Sequence, residues 1–127
     1  MIRPFRVYLK KGESLTLEFR RFEIEGNSFT LYDSLDNPVK EEAFLSLDNV
    51  AAVIPEKQME SDSRFKVYLK SGEMFEIVAE LFKADQPPSV KFYRQRYPRE
   101  DEEIKNIYVA LSEVVAIMPV WGLKRQW

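Results

Sequence analysis

Two stretches of the chain gather side chains with chemical potential. "VKFYRQRYPR", Val90 to Arg99, interleaves Lys91, Arg94, Arg96 and Arg99 with Phe92, Tyr93 and Tyr97. Cations for phosphates and aromatic faces for bases are what a single-stranded nucleic acid requires. The acidic run that follows, Glu100 to Glu103, works against that use: it offers the arginines ion-pair partners and repels a polyanion. "DSLDNPVKEE", Asp33 to Glu42, is rich in oxygen ligands but lacks the alternate-position spacing and central glycine of a calcium loop. Its Asp36-Asn37-Pro38 is turn chemistry. No metal site and no cofactor are expected.

The missing residue types narrow the chemistry further. Without histidine there is no Ser-His-Asp arrangement, imidazole base or imidazole ligand. Without cysteine there is no thiolate nucleophile and no sulfur-liganded metal. Catalysis would rest on carboxylates, lysine or tyrosine alone. The expectation is therefore a non-enzymatic protein with no catalytic residues. The 19 basic and 21 acidic residues leave a net charge of −2, unlike the basic excess of non-specific nucleic-acid binders. Hydrophobic residues at 45% and charged residues at 31% describe a soluble globular chain. The longest apolar run, Val114 to Leu123, is interrupted by Pro119 and Gly122 and is too short to span a bilayer. "MIRPFRVYLKK" lacks a signal-peptide core. A cytoplasmic location without a membrane partner is expected.

The elements that must position these residues are announced by a repeat. "FRVYLKKGE", Phe5 to Glu13, returns as "FKVYLKSGE", Phe65 to Glu73, at an offset of 60. "FTLYDS" answers "VKFYRQ" at an offset of 61, and "LSLDNVAAVIP" answers "VALSEVVAIMP" at 64. The offset grows near Pro87-Pro88 and around "RYPREDEE", where loops lengthen, which is the behaviour of a duplicated unit. Within each unit the apolar period is two: Phe5, Val7 and Leu9, then a glycine turn, then Leu15, Leu17 and Phe19. The phase slips at Arg20-Arg21, predicting a bulge in a long, bent second strand. "EMFEIVAELFKAD" also fits a helix by period. Its partner "ESLTLEFRRFEIE" alternates, so strand is predicted for both.

Five short strands per unit, the second long and bent and a one-turn step before the fifth, resemble an SH3-like small β-barrel of the Sm and Hfq kind. "IYVALSEVVAIMP" is its most telling piece. The resemblance implies an all-β protein of two tandem five-stranded barrels packed together. The expected bounds are 1–56 for the first, 57–63 for a linker, 64–120 for the second and 121–127 for a tail. In those families RNA is held in part by an Arg-Gly or Lys-His pair between the fourth and fifth strands. The matching positions hold Leu45-Ser46 and Leu47-Asp48, then Val109-Ala110 and Leu111-Ser112. Neither signature is present, so that RNA site transfers to no residue of this sequence.

The fifth strands point to a protein interface instead. "VAAVI" and "VVAIM" are apolar at every position, which predicts burial on both faces. A unit of this size is also marginal alone. Docking of the units through these strands, or pairing with another chain, answers both problems. Val53 and Ile117 are expected at such an interface. In the tail "VWGLKRQW", Trp121 suits a barrel cap or an interface, and Trp127 beside Lys124 and Arg125 has the composition of a docking anchor. The sequence thus predicts a binding module acting through protein–protein contacts, with self-association. The alternatives are single-stranded RNA or DNA on Lys91, Tyr93, Arg94, Arg96, Tyr97 and Arg99, and a small anion between the units.

Overall fold

A computed structural model describes residues 2–32, 45–95 and 103–120. The chain is all-β. The first half runs β1 (Arg3–Leu9), β2 (Ser14–Phe19), β3 (Arg21–Glu25), β4 (Ser28–Tyr32), β5 (Leu45–Ser46), a single 3-10 turn (Leu47–Asn49) and β6 (Val50–Pro55). The second half repeats the order as β7 (Arg64–Leu69), β8 (Met74–Val78), β9 (Leu81–Lys83), β10 (Lys91–Tyr93), β11 (Tyr108–Val109), a 3-10 turn (Leu111–Glu113) and β12 (Val114–Pro119).

The registers repeat as well. Val7 lies opposite Leu15 and Val53, and Val67 opposite Phe75 and Ile117. Leu9 N–H donates to Glu13 O at 2.8 Å, and Leu69 N–H to Glu73 O at 2.9 Å. Gly12 and Gly72 close these hairpins with φ of 107° and 97°, a region open to glycine and strained for other residues. The stretch with helical period, from Met74, is strand because β7 supplies a partner ladder from Arg64 to Tyr68.

The expected second strand is two strands. Phe19 and Phe22 face the same core with two residues between them, which breaks a period of two. At the break Arg20 N–H donates to Tyr32 O at 2.7 Å, and at its twin Glu80 N–H donates to Tyr93 O at 2.9 Å. Among the described residues each half therefore has six strands rather than five. They lie in sheets ordered β11-β6-β1-β2, β3-β4-β5, β12-β7-β8 and β10-β9, and among the described residues no sheet closes into a barrel.

The halves are joined by exchange of core residues. β6 pairs with β1 on one edge and with β11 of the second half on the other. Its side chains consequently divide between two cores. Val50 and Val53 pack with Phe5, Val7, Phe19 and Phe29, while Ala51, Ala52 and Ile54 pack with Val67, Phe75, Ile77 and Val109. Tyr108 and Ala110 return the exchange by entering the first core, Tyr108 edge-on to Phe29 at 5.2 Å. An unbroken apolar strand is what this position demands, because neither face of β6 meets water.

Candidate protein interface

β12 is the twin of β6 in sequence and register, yet its surroundings differ. Its inner edge pairs with β7, and among the described residues no strand pairs with its outer edge. Ala51 is 1% exposed and its twin Val115 is 65% exposed; Ile54 is 4% exposed and its twin Met118 39%. Ala116 and Ile117 are partly buried where Ala52 and Val53 are sealed. The expectation that both fifth strands are buried on two faces thus holds for β6 and fails for β12. The reason is topological: two repeated units have one seam between them, and β6 occupies it.

The candidate residues separate accordingly. Val53 lies inside that seam, 0% exposed, and is closed to any outside partner. Ile117 leans on the second core from an open strand. Trp121 and Trp127 lie outside the described residues, as do Arg96, Tyr97, Arg99 and the acidic stretch Asp33 to Glu42. Sequence reading missed Val115 and Met118. The signal was present in the pairing of "VAAVI" with "VVAIM", once only one internal seam is allowed for.

The basic and aromatic stretch is arranged unlike a base-stacking platform over its described part. Phe92 and Tyr93 are buried, and Lys83 Nζ sits 5.4 Å from the Tyr93 ring centroid. Lys91 faces Lys83 across the β9–β10 ladder. Arg94 is exposed and turns instead to a cleft of about 120 Å³ between the halves, shared with Arg3, Lys57, Gln58 and Asn106. Among the described residues none of Arg3, Lys57 and Arg94 has a carboxylate partner.

The remaining chemistry is unremarkable for proton transfer. Burial pushes the Tyr108 phenol up, and the Glu113 carboxylate adds to it. Burial also raises Tyr8; Arg6 opposes the shift, and Glu73 and Glu56 reinforce it. Both phenols move further from neutrality. Among the described residues no cluster of three or more carboxylates could hold a metal ion, and no helix is long and apolar enough to cross a membrane. No family model, curated protein or solved structure matches the chain.

Proposed function

We propose that the chain is a non-enzymatic binding module that works through protein–protein contacts and self-associates through β12. The exposure of Val115 and Met118, on a strand whose twin is sealed inside the molecule, carries this reading. An edge strand with free ladder groups and apolar side chains is a template for another strand. The finer fold reading, two tandem small barrels of the SH3-like kind, belongs to the same proposal. It is supported by the repeated order of strand, bent strand pair, strand, short strand, 3-10 turn and strand. A cytoplasmic setting is part of it too, supported by a cysteine-free sequence.

Sedimentation velocity over a range of protein and salt concentrations tests the reading. The expected result is a mass above the 15.0 kDa of one chain that rises with concentration. Salt should change it little, since apolar contacts are not screened. A single-chain mass at every concentration overturns self-association.

A second reading rests on the cleft that gathers Arg3, Lys57 and Arg94. Three cations that line one cleft, none with a carboxylate partner among the described residues, suit a small oxyanion. Titration with inorganic phosphate should then give a saturable, salt-sensitive signal that Arg94→Ala weakens. Its absence in the unaltered protein removes this reading.

A further inference from the structure

The seam inside the chain has four parts, and among the described residues the twin of each lacks the matching contact at the ends. In the ladder, Ala110 N–H donates to Ala51 O at 2.8 Å, with Val109 opposite Ala52. In the packing, Ala51, Ala52 and Ile54 enter the second core. Tyr8 stacks on Phe75 with ring centroids 4.8 Å apart. Finally, the Gly12 turn lies against Ser71, whose Cβ is 3.9 Å from the point a side chain on Gly12 would occupy.

On the donor side the twins are Val115, Ala116, Met118, Tyr68 and Gly72. Val115 and Met118 are exposed, and Gly72 has nothing within 4 Å at the corresponding point. On the acceptor side the twins of Ala110, Phe75 and Ser71 are Ser46, Leu15 and Lys11. All three line one groove of about 610 Å³ in the first half, beside Leu9 and Val50. Leu15 is 41% exposed there, whereas Phe75 is 6% exposed in the seam.

The backbone polarity agrees. Leu47 N–H donates to Asn27 O at 2.9 Å, and Ser28 pairs with Ser46 in the β4–β5 ladder. Alternation in an antiparallel ladder then turns the Ser46 N–H and C=O away from β4, towards the side of β5 that no strand pairs with among the described residues. That is where the Ala110 N–H points in the second half when it reaches Ala51. The volumes are also traded. The seam sets a small alanine, Ala51, with a large phenylalanine, Phe75, and the ends offer a larger valine, Val115, with a smaller leucine, Leu15.

Resting on the reading of β12 as a self-association strand, we infer that copies join head to tail. β12 of one chain adds to β5 of the next, with Val115 opposite Ser46 and its side chain in the Leu9–Leu15 groove. The contact is heterologous, so it propagates into a closed ring or an open fibre according to whether the rotation closes.

Two variants at exposed positions test this, Leu15→Glu at the head and Val115→Glu at the tail, each verified by a cooperative melt. Each alone should sediment as one chain. Their equimolar mixture should recover a species of two chains, since one intact head and one intact tail remain. As a second measurement, Ser46→Cys and Val115→Cys chains are mixed and oxidised. Directly opposed residues of an antiparallel pair are within disulfide range. A cross-linked pair is expected from the mixture, read without background because the chain has no cysteine.

If the unaltered protein assembles but Leu15→Glu assembles equally well, self-association stands and the head-to-tail arrangement falls. A tail-to-tail contact gives that result, with no mixed disulfide. If the unaltered protein is a single chain and loss of 121–127 releases assembly, the chain's own tail is the occupant and the inference is overturned.

Discussion

The same substitution at twin positions should have opposite consequences. Ala51→Glu places a carboxyl group at a site that is 1% exposed, among the apolar side chains of the second core. The group will neutralise rather than stay charged there. With a carboxyl pKa of about 4.3 in the unfolded chain, keeping the group protonated at pH 7 costs about 4 kcal/mol. The added volume over alanine costs about 1–3 kcal/mol more in a packed interior. Whole domains of this size are stable by about 5–15 kcal/mol, so a loss of about 5–7 kcal/mol in Ala51→Glu should remove a large part of that stability, and all of it at the lower end. Val115→Glu removes a larger apolar side chain, yet at 65% exposure it should change the stability of a single chain by no more than about 0.5 kcal/mol. Urea unfolding followed by far-ultraviolet circular dichroism, at a concentration low enough to exclude association, measures both. Comparable losses for the two variants would refute the inequivalence of β6 and β12, and with it the argument for an open edge.

Three further outcomes follow from local contacts. The Gln58 side chain runs along β8, donating to Glu76 O and accepting from Val78 N–H, each at 2.8 Å. Gln58→Ala should cost about 1–3 kcal/mol in urea unfolding and speed exchange of the Val78 amide hydrogen, without altering assembly. Tyr108 holds its proton more tightly when folded than the ordinary 10.0, because burial disfavours the phenolate. Its contribution is therefore complete below about pH 10 and is lost as pH rises through the higher folded value. Tyr108→Phe should flatten the loss of stability on the alkaline side and leave its slope near neutrality unchanged. Gly12→Ala and Gly72→Ala both force a side chain into positive φ and should each cost about 1–2 kcal/mol of thermal stability.

Much of the fold was legible along the chain because its determinants are local. Alternation of Phe5, Val7 and Leu9 with polar neighbours, and glycines where φ must be positive, specify hairpins before any long-range contact exists. The phase slip at Arg20-Arg21 marked the place where β2 gives way to β3. The uniform apolar run of β6 announced two buried faces.

Tertiary structure decided what local pattern leaves open. The stretch from Met74 satisfies a helical period as well as a strand's, and the β7 ladder selects between them. In "VKFYRQ" the aromatic and basic residues alternate ambiguously, and only the packing turns Phe92 and Tyr93 inward while leaving Arg94 outside. Above all, "VAAVI" and "VVAIM" are equivalent by composition and pattern. A strand's sequence records which faces avoid water, but not which neighbour covers them. Two joined units supply that cover once, through β11, and so β6 is sealed while β12 has an unpaired edge among the described residues.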